Sequence, residues 1–242
     1  MAGTPRIFAD LTALYQGAAQ CFIEHAQLAI AARGRFTVSL AGGSTPKKLY
    51  QLLASEPYKS QIDWSAVHLF WGDERYIPYN HSDSNYRMIK EALFDHVPIP
   101  AENIHGMPVG YIDLEEAAQA YSQELEAFFD GDIRLDLTFL GMGGDGHTAS
   151  LFPGDPALNV LDRPVAVARP QSQPTPRLTL TYPVLNRSRC IVFFVAGADK
   201  ATVLAEVIAG GTRYPSQGII PTDGALFWFI DQLAAAKLLE KA

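Results

Sequence analysis

Short apolar runs alternate with amphipathic helical patterns along most of the chain, and this alternation restricts the possible folds more than any other feature. The runs are hydrophobic throughout, which is typical of strands buried on both faces of a parallel sheet. Strands that are joined by helices in this way predict an α/β protein. We therefore expect a Rossmann-like, doubly wound α/β fold, with a mainly parallel sheet and helices on both faces.

The predicted strands end at polar loops, and these loops are the first candidates for function. Strands are predicted at 36–41, 67–72, 135–140, 190–196 and 225–230, with a further β-prone run at 177–181. Helices are predicted at 10–33, from 44 or 45, at 84–94, 113–129 and 199–208, and at the C-terminus. Because doubly wound sheets bind ligands beyond the carboxyl ends of their strands, we expect the site in the loops that follow them.

The composition is that of a globular protein with a substantial core. Of 242 residues, 48% are hydrophobic, and the absence of a linker, repeat or low-complexity tract predicts a single domain over residues 1–242. The formal net charge of -7 argues against non-specific nucleic-acid binding, although a few converging cations can still bind an anionic small molecule.

Neither a signal-peptide pattern nor an apolar stretch of membrane-spanning length is visible. We expect a cytosolic protein without a membrane partner, and its oligomeric state stays open.

The cysteine and histidine positions argue against a disulfide framework and against a metal site. Cys21 and Cys190 lie in apolar runs far apart in the sequence, as expected for buried thiols in a reducing compartment. None of the six histidines stands at metal-ligand spacing from another; they are His25, His68, His81, His96, His105 and His147. We therefore expect no catalytic metal.

A glycine-rich loop follows the first predicted strand. Gly42 and Gly43 precede Ser44 and Thr45, where a helix begins with Pro46 in its first turn. Glycines let a ligand approach the backbone, and the free N–H groups of a helix N-terminus attract anions. Residues 42–45 are therefore candidates for binding a phosphate. An ordinary strand-to-helix turn with a Ser or Thr cap gives the same pattern, and the spacing is not that of a Walker A loop.

Charged residues elsewhere in the sequence are further candidates for the site. Asp73 and Arg75 follow the second predicted strand, either as part of a solvated loop or facing the cleft, where Arg pairs with a phosphate or an oxyanion. Arg177 begins the β-prone run and Lys200 lies at a strand-to-helix turn. Taken alone, these two are typical surface charges, and their importance depends on which residues lie near them.

The loop at 141–150 carries the strongest indication of chemistry. It follows a predicted strand, contains four glycines within its first six residues, and leads to Asp145 and His147. Histidine is the side chain best suited to proton transfer near neutral pH, and an aspartate nearby can orient it or bind a sugar hydroxyl. A lone loop histidine is usually structural, but the glycine frame at a strand end favours a functional one.

Six blocks of sequence occur together and in a fixed order. They are AGGSTP at 41–46, GDER at 72–75, SNY at 84–86, GMGGDGHTASLFP at 141–153, RLTLT at 177–181 and GADK at 197–200. Together they resemble the 6-phosphogluconolactonase family, which is similar in fold to glucosamine-6-phosphate deaminase and ribose-5-phosphate isomerase. The block at 141–153 is the most specific of the six, and the matches run from about residue 36 to the C-terminus.

The resemblance implies hydrolysis of 6-phospho-D-glucono-1,5-lactone to 6-phosphogluconate, a step of the oxidative pentose phosphate pathway that needs no cofactor. It also implies three sets of site residues. His147 is the principal proton-transfer residue; Gly43, Ser44, Thr45, Arg177 and Lys200 hold the phosphate; and Asp73, Arg75 and Asp145 surround the sugar ring and the reacting carbonyl. Which group activates the water and which protonates the ring oxygen stays open at this point.

Three other functions fit parts of the sequence less well. A serine hydrolase would need a G-x-S-x-G elbow, and neither Ser44 nor Ser150 lies in one. A sugar-phosphate sensor without enzymatic activity normally carries a DNA-binding segment, and no basic helix-turn-helix is apparent. The related deaminases carry a Glu five residues after the corresponding histidine, and that position here is Phe152.

This difference predicts that the protein does not deaminate glucosamine 6-phosphate, because ring opening and aldose–ketose proton transfer would use the missing carboxylate. The measurement is ammonia release from that substrate. Sustained turnover at the rate of a known deaminase would show that position 152 has been misinterpreted.

Overall fold

A computed structural model describes residues 3–240 of the chain. The strands are β1 Thr4–Phe8, β2 Phe36–Leu40, β3 Val67–Trp71, β4 Asp73–Arg75, β5 Ile104–His105, β6 Leu137–Leu140, β7 Val165–Ala168, β8 Arg177–Leu180, β9 Cys190–Val195 and β10 Ala225–Asp231. The α-helices are α1 Leu11–Arg33, α2 Ser44–Leu53, α3 Asn85–Ile89, α4 Leu114–Phe128, α5 Tyr182–Asn186, α6 Ala201–Ile208 and α7 Gln232–Leu239.

Seven strands form a sheet in the order β1-β10-β9-β6-β2-β3-β5, and every pairing within it is parallel. The connections through α1 and α2 run along the sheet in one direction, and those through α4 and α6 run in the other. Because such crossovers are right-handed, the two pairs of helices cover opposite faces. The predicted doubly wound α/β fold is therefore confirmed.

The five apolar runs predicted as strands are all strands of this sheet, with ends shifted by one or two residues. The two edge strands were not predicted. β1 is exposed along nearly its whole length, so it lacks the hydrophobic pattern of a buried strand, and β5 has only two residues. The predicted helix at 84–94 begins as α3, with Ser84 as its N-cap, and continues as a π-helical turn over Lys90–Phe94.

A second sheet is antiparallel and has the order β4-β8-β7. Asp73–Arg75, predicted as part of a polar loop, is thus a short strand, because residues 177–179 provide it with a hydrogen-bonding partner. The two sheets join at Gly72, whose carbonyl accepts from the Leu180 N–H over 2.9 Å. The charged residues that follow β3 are therefore held on a strand.

Residues 3–240 contain neither a helix long and apolar enough to cross a membrane nor a cluster of metal-ligating side chains. The longest helix, α1, begins at the N-cap Asp10, whose carboxylate accepts from the Ala13 N–H over 2.8 Å. It ends at Gly34, which has a φ of 72° in the left-handed region. A buried stripe that includes Phe22 packs this helix against the sheet.

Asp136 ties together the amino ends of the strands, on the side of the sheet opposite to the loops that follow them. Its buried carboxylate accepts from the Thr37 N–H over 2.9 Å and from the Thr37 hydroxyl over 3.0 Å. Arg33 and Arg189 lie 2.7 Å and 3.3 Å from its Oδ1. One carboxylate thus links the end of α1 to the start of β2, β6 and β9.

Replacing Asp136 with Ala should lower the free energy of unfolding by about 2–4 kcal/mol, because the Thr37 N–H loses its acceptor and two arginines lose their counter-ion. The arginines are partly exposed, which keeps the loss in this range. Urea unfolding measures the change, and exposed Asp162→Ala is the matched control. Equal stability of the two variants would contradict the proposed role of Asp136.

Candidate active site

The loops that follow three adjacent strands, β6, β2 and β3, surround a cavity of about 210 Å³. The chain adds strands from β2 towards one edge of the sheet and from β6 towards the other, so the cavity lies where the strand order reverses. Doubly wound sheets bind their ligands at this position. Six of the predicted site residues line the cavity: Gly42, Gly43, Asp73, Arg75, His147 and Arg177.

Glycines shape the loop that carries His147. The Gly143 N–H donates to the His147 carbonyl over 2.9 Å, and the Gly146 N–H donates to the Gly143 carbonyl over 3.0 Å, which closes a tight turn. Gly146 has a φ of 76°, in the left-handed region. A Cβ atom on Gly143 would stand 2.1 Å from His147 Nδ1, so only glycine leaves room for the imidazole.

Asp145 orients the imidazole of His147. Its Oδ1 lies 2.5 Å from His147 Nδ1 and 3.1 Å from the His147 backbone nitrogen. Burial disfavours the charged carboxyl, but the hydrogen bonds and the attraction from His147 outweigh this and lower the pKa of Asp145. Because an ionised carboxylate only accepts, this hydrogen bond favours the tautomer of the neutral imidazole in which Nδ1 carries the proton and Nε2 has the free lone pair. Such a pair is suited to take a proton from water.

A buried network joins Asp73 to Arg177. Asp73 Oδ2 accepts from the Ser150 hydroxyl over 2.6 Å, and Arg177 Nη1 lies 3.8 Å from the same oxygen and 3.5 Å from Ser150 Oγ. Burial disfavours the charged guanidinium and lowers the pKa of Arg177, while the nearby Asp73 carboxylate opposes that shift. The network holds the Arg177 guanidinium in the wall of the cavity.

The two cavity arginines face each other across the antiparallel ladder. Arg75 and Arg177 are direct partners in the pairing of β4 with β8, where like charges destabilise a sheet. The Nε atoms of both are buried and have no hydrogen-bond partner in the part of the chain that the structure describes. Since buried donors without an acceptor are costly, this part of the cavity is suited to bind an anion.

Glu74 supports the site from behind and was not identified as a site residue from the sequence. Its side chain is completely buried and accepts from the N–H groups of Arg75 and Asn85 over 2.8 Å each and of Tyr86 over 2.6 Å. Burial raises the pKa of Glu74, although these three hydrogen bonds act in the opposite direction. The carboxylate thereby joins β4 to the first turn of α3.

The turn at 42–45 connects β2 to α2. Gly43 is the N-cap of α2 and has a φ of 109°, which favours glycine. Asn85 packs against Gly42, because a Cβ atom on Gly42 would stand 2.0 Å from Asn85 Oδ1. Asn85 also lines the cavity, although it was not identified as a site residue from the sequence. Ser44 is exposed and Thr45 is half-buried; both lie in the first turn of α2, outside the cavity lining.

Lys200 and Asp145 also lie outside the cavity lining. Lys200 Nζ would be 3.9 Å from a Cβ atom on Gly144, which puts the ammonium group beside the glycine-rich loop, and it lies 3.1 Å from Asp199 Oδ2. Asp145 is exposed and contacts His147 alone among the predicted site residues.

Comparison with known proteins identifies the family. The model of the family described as glucosamine-6-phosphate isomerases/6-phosphogluconolactonase matches residues 9–228. The chain belongs to this family. A curated 6-phosphogluconolactonase from Synechocystis is 45% identical over 232 residues, which cover 93% of this chain and 94% of the relative. The crystal structure of 6-phosphogluconolactonase from Thermotoga maritima is 29% identical, has a TM-score of 0.83, and covers 95% of this chain and 99% of its own.

A deaminase has the same fold. The structure of a monomeric glucosamine-6-phosphate deaminase of the NagB superfamily gives a TM-score of 0.82 over 97% of this chain and 99% of its own, at only 18% identity. The fold alone therefore does not distinguish the members of this family. At position 152, where we expect a deaminase to carry a glutamate, this chain has Phe152, whose buried ring stacks on His147 with 4.1 Å between ring centroids.

Replacing Gly143 with Ala should displace the imidazole of His147 and lower the free energy of unfolding by about 1–3 kcal/mol, because the added methyl group overlaps the ring. Gly144→Ala is the matched control, since its Cβ atom would meet only Lys200 Nζ at 3.9 Å. The imidazole resonances of His147 in NMR spectra, together with urea unfolding, measure both effects. If the His147 resonances of Gly143→Ala matched those of Gly144→Ala and of the parent, a methyl group at position 143 would not displace the imidazole.

Proposed function

We propose that this chain is a 6-phosphogluconolactonase, which hydrolyses 6-phospho-D-glucono-1,5-lactone to 6-phosphogluconate, the second step of the oxidative pentose phosphate pathway. The observation that carries the proposal is the Asp145–His147 pair at a cavity that Arg75 and Arg177 also line. A base and an anion site in one cavity suit a substrate with both a hydrolysable carbonyl and a phosphate. The curated relatives of that name support this choice within the family.

In the proposed reaction, His147 moves one proton while water opens the lactone ring. Water attacks C1 and passes a proton to Nε2 of His147, and Arg75 stabilises the oxyanion that forms on the carbonyl oxygen. The bond between C1 and the ring oxygen then breaks, and the ring oxygen takes the proton from His147, so the imidazole is regenerated. General acid–base help of this kind contributes about 10²–10⁴ in rate, and an oxyanion donor roughly 3–4 kcal/mol.

The phosphate, in this proposal, is held by Arg177, Lys200 and the turn at 42–45, which includes Gly42, Gly43, Ser44 and Thr45. The N-terminus of α2 supplies free N–H groups, and the two cations supply charge-assisted hydrogen bonds. Asp73, which lies beside the sugar ring in this proposal, keeps Arg177 in place through the network with Ser150. None of these steps uses a cofactor or a metal.

We also propose that the enzyme works in the cytosol. Cys21 and Cys190 are both buried free thiols, which is typical of proteins in a reducing compartment. Fractionation of the source cells with an antibody to the chain tests this assignment.

Alanine variants should separate the chemistry from phosphate binding. His147→Ala should lower kcat by about 10²–10⁴ and leave the affinity for 6-phosphogluconate nearly unchanged, because its role is proton transfer. Arg177→Ala and Lys200→Ala should each weaken product binding by about 10- to 100-fold, since charge-assisted contacts contribute roughly 1.5–3 kcal/mol. Lactonase kinetics corrected for spontaneous hydrolysis, with a chelator present, and calorimetry of product binding measure the two effects.

Lys237→Ala is the control, because Lys237 on α7 pairs with Glu240, the C-cap residue of that helix, and lies outside the cavity lining. Full kcat in His147→Ala would contradict the mechanism. Unchanged product affinity in both cation variants would contradict the phosphate site, and a folded parent protein without activity would contradict the function itself.

A further inference from the structure

Phe152 is the aromatic neighbour of the proposed base. It lies five residues after His147 in the chain and is buried, with a relative exposure of 3%. Its ring stacks on the imidazole with centroids 4.1 Å apart and an angle of 25° between the planes. Contact between two aromatic rings is favourable, and a ring packed against one face of the imidazole restricts its rotation.

The imidazole is confined on three sides. Asp145 holds Nδ1 by a hydrogen bond of 2.5 Å, Gly143 lies against the edge formed by Nδ1 and Cε1, and Phe152 covers one face. Among the described residues, none donates to or accepts from Nε2. A hydrogen bond at Nδ1 alone would leave the ring free to tilt about that contact, and the stack removes this freedom.

Phe152 also lies close to the proposed phosphate site. The guanidinium carbon of Arg177 is 5.2 Å from the centroid of the Phe152 ring, within the range of a cation–π contact. One side chain therefore contacts both the proposed base and a proposed phosphate ligand. An aromatic ring can do this without adding charge, whereas a carboxylate at the same position would compete for the proton of His147 and for Arg177.

We propose that Phe152 is the positioning residue of His147: by stacking on the imidazole it fixes the ring plane in which Nε2 meets the attacking water. The inference rests on the proposed lactonase function. It assigns Phe152 no contact with the reacting atoms, and it predicts that loss of the ring affects kcat more than substrate binding, because Asp73 and Ser150 still hold Arg177.

Phe152→Leu is the test variant, because leucine keeps a buried apolar side chain without a ring, and Phe152→Tyr is the rescue variant, because it keeps the ring. Phe70→Leu is the matched control, since Phe70 stacks on His105 with centroids 4.3 Å apart and lies outside the cavity lining. The readouts are kcat, KM, calorimetric affinity for 6-phosphogluconate and the His147 ring-proton resonances, assigned by their loss in His147→Ala.

For Phe152→Leu we expect kcat to fall by about 10- to 100-fold, as for other small displacements of catalytic groups, with KM and product affinity within about threefold of the parent. The His147 resonances, shifted upfield by the ring current in the parent, should move downfield. Phe152→Tyr should recover most of kcat and the upfield shift, and Phe70→Leu should keep kcat within twofold while losing stability.

Three results would overturn the role of Phe152 and leave the proposed function intact. The first two are full kcat in Phe152→Leu and equal losses of kcat in Phe152→Leu and Phe152→Tyr. The third is an equal fall in product affinity and kcat in Phe152→Leu, because the ring would then act on Arg177. A parent protein that lacks lactonase activity would overturn the function instead, while its NMR spectrum would still report whether the stack exists.

Discussion

Arg75 and Arg177 stand directly opposite each other on paired strands, and the rest of the site is arranged around these two like charges. Successive side chains of a strand point to opposite faces, so Asp73 and Arg75 share one face of β4 while Glu74 points to the other. Asp73 can therefore reach Arg177 on the cavity side, and Glu74 can bind the first turn of α3 behind it. The alternation along this three-residue strand thus places the Asp73 carboxylate in the site and the Glu74 carboxylate behind it, where it binds α3. In the proposed reaction, the oxyanion at Arg75 and the phosphate at Arg177 would offset the repulsion between these two charges.

The position of this charged strand depends in turn on the end of β3. Gly72 still belongs to the parallel sheet through its N–H, which donates to the Leu40 carbonyl over 3.1 Å, while its own carbonyl accepts from Leu180 of the antiparallel sheet over 2.9 Å. One residue therefore carries the chain from one sheet to the other. Since the backbone is hydrogen-bonded to a sheet on either side of this point, Asp73 and Arg75 project from a rigid strand and not from a flexible loop.

The sequence was sufficient to predict five of the seven strands of the parallel sheet and the glycine-rich loop that carries His147, because these features are encoded locally. The five buried strands have predominantly apolar runs, and Asp145 and His147 are two residues apart within a glycine frame. The strand character of Asp73–Arg75 was not predictable, because Asp and Glu have low β-propensity and the pairing partner lies about a hundred residues away. The link from Asp73 to Ser150 spans 77 positions, and no local pattern reports such a contact.

The loop at 145–152 contains one residue, Ala149, whose backbone conformation is strained. Ala149 has a φ of 47°, in the left-handed region that a residue with a Cβ atom enters only at a cost of about 1 kcal/mol or more. The conformation persists because both neighbours are fixed: the Thr148 hydroxyl donates to the Gly141 carbonyl over 2.8 Å, and Ser150 binds Asp73 on one side and Thr179 on the other. A relaxed backbone at Ala149 would turn Ser150 away from Asp73 and Phe152 away from His147. The strain at one alanine is therefore offset by the contacts that connect the base to the cation site.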